Sequence, residues 1–179
     1  MPINKRGHVW IETVLYTLIA LVLIGVALAF ITPKINEAKD KAAVEQAISM
    51  LNVLDERLNS ALVAPGNVRV VDILLKKGDL EINPAEDSIK IILSDLKKPY
   101  SEVGVPIKNG RVTIVSVEGQ KSNSVELSLN YTNWADITYK GTTNLKKFNP
   151  SATSYSISIE NKGANNGISI INMDEITGK

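Results

Sequence analysis

TVLYTLIALVLIGVALAFI (residues 13–31) contains no charged side chain and is apolar over nearly its whole length. The part from Val14 to Ile31 would form about 27 Å of α-helix, close to the roughly 30 Å hydrocarbon core of a bilayer. A helix in the core of a soluble domain is seldom apolar on all sides for so long. The stretch therefore predicts a membrane-embedded helix rather than a buried core helix.

The composition narrows the class of protein. The chain has 179 residues, enough for one domain and an anchor, and a net charge of +1, so nucleic acid is not an expected partner. It has no cysteine, which excludes disulfides, thiolate metal sites and cysteine nucleophiles, and its only histidine is His8. Zinc sites and catalytic triads are therefore not expected. No nucleotide-binding glycine motif is present, and we expect no enzyme, no metal and no cofactor.

The N-terminal segment has two ordinary explanations. A cleavable secretory signal has a shorter apolar stretch and small residues at its far end, whereas FITP stands here at residues 30–33. A permanent signal-anchor fits the length, and Glu12 would then be a tolerated acid at the membrane interface. Charge does not fix the orientation of such an anchor, because basic residues lie on both sides of the run. These are Lys5 and Arg6 before it, and Lys34, Lys39 and Lys41 after it.

A third explanation accounts for the residues before the run. Lys5-Arg6-Gly7 resembles the basic leader and glycine of the type IV prepilins, which carry a class III signal peptide. The resemblance covers residues 5–60 and implies cleavage after Gly7, which makes His8 the new amino terminus. Glu12 would then be the fifth residue of the mature chain, where this family typically carries glutamate. The spacing between this glutamate and the glycine is more specific than the Lys-Arg-Gly element alone.

The resemblance implies a role and a set of partners. Glu12 of one subunit would pair with the terminal amine of a neighbour and set the stagger of the helices in a surface filament. The implied partners are the membrane, other copies or sister pilins, a prepilin peptidase, and an assembly ATPase with its platform protein. His8 at the cut site and the late helix proline, Pro33, resemble archaeal pilins and archaellins more than bacterial major pilins. The role implied for such a filament is adhesion, motility or uptake at the cell surface.

After the apolar run the pattern becomes amphipathic. Apolar residues recur at steps of three and four between charged ones, which is typical of a helix that buries one face. They are Val44, Ile48, Leu51, Leu54, Leu58 and Leu62. Such a stripe fits a coiled coil or, as we prefer, the cover of a sheet-forming domain. Pro65-Gly66 ends the helix near Ala64.

Strand patterns dominate the remainder of the chain. Seven or eight short segments alternate or are β-rich, and turn signals such as Asn109-Gly110 separate them. They lie at residues 68–75, 80–82, 88–93, 112–117, 125–131, 137–139, 155–159 and 167–171. The predicted fold class is α+β, with a long N-terminal helix packed on an antiparallel β-sandwich or barrel-like head. The predicted organisation is a leader at 1–7, a transmembrane or filament-core helix at 8–32, an amphipathic helix at 33–64 and an extracytoplasmic head at 65–179.

The head offers few candidate sites. Two adjacent carboxylate pairs, Glu86-Asp87 and Asp174-Glu175, lie in polar segments typical of solvated surface. Asn130-Tyr131-Thr132 is an N-glycosylation sequon, whereas proline blocks the triplet at Asn149. The alternative for Asn130 is an unmodified asparagine at a strand end. A different function for the whole chain also stays open, namely an uncleaved, membrane-anchored β-domain that binds a ligand.

Overall fold

The computed structural model describes residues 5–176, with side chains described from Trp10 onward. It contains one long helix, α1, Lys5–Leu62, and a 3-10 turn at Pro84–Glu86. Ten strands follow α1 within the described residues. They are β1 Val68–Ile73, β2 Asp79–Asn83, β3 Ser88–Leu96, β4 Ile107–Asn109, β5 Val112–Val117, β6 Asn123–Asn130, β7 Ala135–Tyr139, β8 Lys146–Phe148, β9 Tyr155–Asn165 and β10 Ile168–Glu175.

The chain divides into two compact units, Met1–Lys39 and Asp40–Lys179. In the first unit, every side chain from Trp10 to Ile31 is exposed, including Leu21 at 65% and Phe30 at 74%. Exposure of this much apolar surface is unfavourable in water. The N-terminal part of α1 is long and apolar enough to cross a membrane.

The second unit, which we call the head, contains two sheets. One has the strand order β1-β9-β10-β7, and the other has the order β4-β5-β6-β3-β2-β8. Every pair is antiparallel except β10 with β7, which is parallel. The head is therefore built from two separate sheets rather than one closed barrel, and the predicted α+β class is confirmed.

The helix segment of the head closes its core. Leu51, Leu54 and Leu58 are fully buried, and they belong to the same apolar cluster as residues of both sheets. The prediction that this apolar stripe covers a sheet-forming domain is thus confirmed. The alternative, a stripe that forms a coiled coil, is not what the head shows. At its end Ala61 is fully buried, whereas Leu62 is only partly buried against the cluster.

Several boundaries differ from the sequence predictions. α1 ends at Leu62 rather than near Ala64. The short strand β8 was not predicted, because two of its three residues are lysines. The Gly/Asn-rich segment before Gly167, predicted as a loop, is mostly strand: β9 continues to Asn165, and Asn166 and Gly167 turn the chain with positive φ. The hairpin predicted at Asn109-Gly110 is confirmed by the pairing of β4 with β5.

Candidate functional site

The predicted processing site lies at the start of α1. Lys5, Arg6, Gly7 and His8 belong to the helix backbone, but their side chains lie outside those that the structure describes. Cleavage after Gly7 therefore stays a prediction from the sequence.

Glu12 is a single carboxylate among exposed, mostly apolar side chains on α1. It is the only charged residue between Trp10 and Ile31, and its side chain is exposed on α1. A carboxylate in lipid is costly unless it reaches the interface or meets a cation. In a helix, it would lie one turn from residue 8. The carboxylate can pair with a positive charge, and the resemblance to prepilins predicts one, the His8 amine of a neighbouring subunit.

A polar cluster joins the helix of the head to its sheets. Asp55 Oδ1 accepts hydrogen bonds from the Tyr131 hydroxyl at 2.8 Å and from Arg111 Nη1 at 3.1 Å. Asp55 Oδ2 accepts one from Asn59 Nδ2 at 3.1 Å. The Asp55 side chain is only 14% exposed. Because each charge in this cluster has a partner, the cluster stabilises the docking of the helix rather than offering a free reactive group.

Arg111 extends this cluster to the surface. Its guanidinium carbon lies 3.9 Å from the centre of the Trp134 ring and 4.9 Å from that of Tyr131. Trp134 is 55% exposed. Burial, followed by the negative charge of Asp55, raises the pKa of Tyr131, so this phenol stays protonated at neutral pH. The sequence did not identify this cluster, because Asp55 and Arg111 are distant along the chain and no local motif links them.

The predicted glycosylation site lies beside the same cluster. Asn130 is exposed at the end of β6, and its side-chain oxygen accepts a hydrogen bond from the Thr132 amide at 2.8 Å. Between them, Tyr131 is fully buried. The Thr132 hydroxyl donates a hydrogen bond to the Glu86 carbonyl at 3.2 Å. The acceptor residue is thus exposed on an ordered turn, as an attached glycan requires.

The two carboxylate pairs have partners. Glu86 pairs with Lys90 at 3.1 Å, and Asp87 Oδ1 accepts a hydrogen bond from the Ile137 amide at 2.9 Å. Asp174 and Glu175 pair with separate lysines, Lys140 at 3.6 Å and Lys146 at 3.5 Å. These contacts give the four carboxylates a role in joining strands and turns. Within the part of the chain that the structure describes, no three metal-ligating side chains come together.

An open groove of about 440 Å³ runs along the helix of the head. Glu45 and Glu56 lie on its helix side, and opposite them are Tyr100, from the segment between β3 and β4, and Asn109, at the end of β4. The remaining lining residues also belong to the helix: Ile48, Ser49, Asn52 and Val53. The groove holds two carboxylates and no basic side chain, so it suits a neutral or cationic group.

No protein-family model, characterised protein or solved structure matches this chain.

Proposed function

We propose that this chain is a structural subunit of a type IV pilus-like surface filament. It would enter the membrane as a prepilin, be cleaved after Gly7 and polymerise through its N-terminal helix. The observation that carries the proposal is the contrast along α1. Its side chains are all exposed from Trp10 to Ile31, whereas its later apolar stripe is buried in the head. The exposed part needs an apolar environment from outside the chain, which lipid or neighbouring helices would supply.

Glu12 gives the proposal its second support. A fixed membrane anchor has no need of a carboxylate in its apolar surface. In a bundle of helices, water leaves and an isolated charge is costly, whereas a pair of opposite charges is tolerable. A carboxylate that pairs with the amine of a neighbouring subunit would favour one stagger of the helices over others. We therefore assign Glu12 the role of fixing the register between subunits.

The resemblance to prepilins supplies the partners in this proposal. A prepilin peptidase would cleave after Gly7, and an assembly ATPase with its platform protein would extract the subunit from the bilayer. Copies of this chain or sister pilins would surround its helix. The head would face the outside of the cell, where filaments of this kind serve adhesion or motility.

The test separates membrane insertion from assembly. Glu12→Gln, expressed in the native host, should leave the protein in the membrane fraction but reduce its yield in sheared filaments by at least about tenfold, because one buried ion pair is lost. Tyr16→Phe, one turn further along the same helix, is the matched control and should assemble normally. A normal filament yield from Glu12→Gln would contradict the assigned role.

The groove favours a second candidate, an uncleaved membrane-anchored binding module. Its carboxylates at Glu45 and Glu56, together with Tyr100, form a polar cleft open to solvent. This function does not need Gly7 or Glu12. The N-terminal residue of the mature protein therefore distinguishes the two candidates.

A further inference from the structure

Trp134 is an exposed aromatic side chain with no role in the proposed filament. Among the aromatic side chains that the structure describes in the head, it alone is exposed, at 55%. It lies in the turn between β6 and β7, where its amide donates a hydrogen bond to the Tyr131 carbonyl at 2.8 Å. Exposure of an indole ring to water is unfavourable, so a ligand that covers the ring would gain from the contact.

The ring of Trp134 is held in place from one side. The Arg111 guanidinium carbon lies over it, 3.9 Å from the ring centre, and over the Tyr131 ring at 4.9 Å. Asp55 fixes the guanidinium through an ion pair of 3.1 Å and also accepts the hydrogen bond from the Tyr131 hydroxyl. A cation therefore covers one face of the indole, and the opposite face and the edge stay open. A ring held in this way loses little conformational freedom when a ligand packs on it.

Asn130 lies close to this ring. Arg111 Nη2 donates a hydrogen bond to the Asn130 carbonyl oxygen at 3.3 Å, so the same guanidinium contacts both Asn130 and the indole. These contacts place that oxygen within about 8.5 Å of the centre of the Trp134 ring. The Asn130 side-chain oxygen accepts a hydrogen bond from the Thr132 amide, which turns the side-chain nitrogen, the atom that carries an N-linked glycan, away from that bond. A sugar on this nitrogen can therefore reach the indole.

The chemistry of a pyranose suits the open face of the ring. The hydroxyl groups of a sugar such as glucose or N-acetylglucosamine point to the sides, whereas its C–H bonds form an apolar patch on the face of the sugar ring. The face of an aromatic ring is negative and attracts positively polarised hydrogens. Such a sugar can therefore pack flat on an indole while its hydroxyl groups stay in water.

We propose that the first sugar of a glycan attached to Asn130 packs on the open face of Trp134. The indole is a binding platform for a covalently attached pyranose, and Arg111 and Asp55 are the residues that position it. The contact holds the glycan against the turn between β6 and β7 rather than free in solvent. The inference rests on the glycan predicted at Asn130 and is independent of the filament proposal.

The test uses tryptophan fluorescence of the full chain in detergent. The chain has two tryptophans, so Trp10→Phe leaves Trp134 as the only one. This variant is produced in a host with N-glycosylation, where peptide mass spectrometry verifies the glycan at Asn130, and in a host without it. In the glycosylated form, acrylamide should quench the emission at least about twofold less, and the emission should shift to shorter wavelength, because the sugar shields the indole from water.

A glycan at a second position is the matched control. Asn149 is exposed, and Pro150→Ala makes its triplet an acceptor, so N130Q/P150A in the Trp10→Phe background moves the glycan away from the turn. Asn149 follows β8, which lies three strand spacings, or about 14 Å, from β6. Acrylamide should then quench Trp134 as strongly as in the chain without a glycan. Weaker quenching with the glycan at Asn149 would overturn the inference, because the shielding would not depend on position.

A stability cycle tests the same contact without fluorescence. Trp134→Ala and Leu145→Ala each remove one exposed apolar side chain, at 55% and 54% exposure. The glycan at Asn130 should raise the melting temperature of the wild type and of Leu145→Ala, and this gain should fall by at least about half in Trp134→Ala. Equal gains in both variants, or equal quenching of Trp134 with and without the glycan, would overturn the inference and leave the filament proposal standing. An unmodified Asn130 in the glycosylating host would overturn it together with the predicted glycan.

Discussion

Tyr131 donates its hydroxyl hydrogen to Asp55 Oδ1 over 2.8 Å, and this bond joins the end of β6 to the helix of the head. Tyr131 is fully buried, and Asp55 also carries the ion pair with Arg111. A single, partly buried carboxylate thus connects the helix, the β4–β5 hairpin and the turn that bears the sequon. This connection explains why a polar group is retained beside an otherwise apolar core.

Tyr131→Phe should lower the free energy of unfolding by about 2 kcal/mol, because a hydrogen bond to a charged group is lost in a buried site. Denaturant unfolding of the full chain in detergent measures this. Tyr155→Phe is the control, since its hydroxyl bonds the Asn149 carbonyl in an exposed place and should cost much less. Equal losses from both variants would contradict the role given to the buried bond.

Alkaline pH should weaken the hydrogen bond between Tyr131 and Asp55. Burial and Asp55 raise the pKa of Tyr131 above its ordinary value of 10.0, so the folded state holds this proton more tightly than the unfolded state. The contribution is fully present below pH 10 and should be lost as the pH rises beyond it. Unfolding measured from neutral to alkaline pH should show a steeper loss for the wild type than for Tyr131→Phe. Parallel curves would count against this coupling.

Asp40 should make the head sensitive to acid. Its pKa is lowered from 3.8 in the folded state, so its stabilising effect is present above that value and is lost as the pH falls through the folded pKa. Asp40→Asn should cost about 1 kcal/mol at neutral pH and flatten the decline in stability as the pH falls below 3.8. Urea unfolding at several pH values measures both effects. Glu118→Gln, at an exposed carboxylate, should leave the profile unchanged, and a profile of Asp40→Asn identical to that of the wild type would refute this assignment.

Asn130 should carry a glycan when the chain is made in a host with N-glycosylation. Its exposed position on an ordered turn supports modification once the head is outside the cell. Peptide mass spectrometry of the native protein should find an added mass at Asn130 that Asn130→Gln abolishes. Asn149→Gln is the control, because Pro150 blocks its triplet. An unmodified Asn130 in such a host would leave it as a plain strand-end asparagine.

Local periodicity predicted most of the fold. The stripe from Val44 to Leu58 and the strand at residues 112–117 follow from spacing alone, because burial on one face imposes a repeat of 3.6 or 2. Strand order did not follow, since pairing depends on contacts between distant segments. The parallel pairing of β10 with β7 is one example, as no local signal distinguishes it from an antiparallel neighbour.

The candidate functional residues were predictable only in part, because contacts between distant segments leave no local signal in the sequence. Glu12 is conspicuous because a charge interrupts an apolar stretch within a short window. The network of Asp55, Arg111 and Tyr131 depends on residues up to 76 positions apart, and each looks like an ordinary surface or strand residue by itself. The convergence of two Lys-Lys turns on Asp40 was likewise visible only after folding.

The most direct test of the central claim is the N-terminal residue of the protein recovered from membranes and surface filaments of its native host. Intact mass and terminal peptide sequencing measure it. The account predicts a chain that begins at His8, since cleavage after Gly7 would release the amine that Glu12 is proposed to bind. A chain that still begins at Met1 or Pro2, in a host with an active prepilin peptidase, would contradict it and favour the fixed membrane anchor.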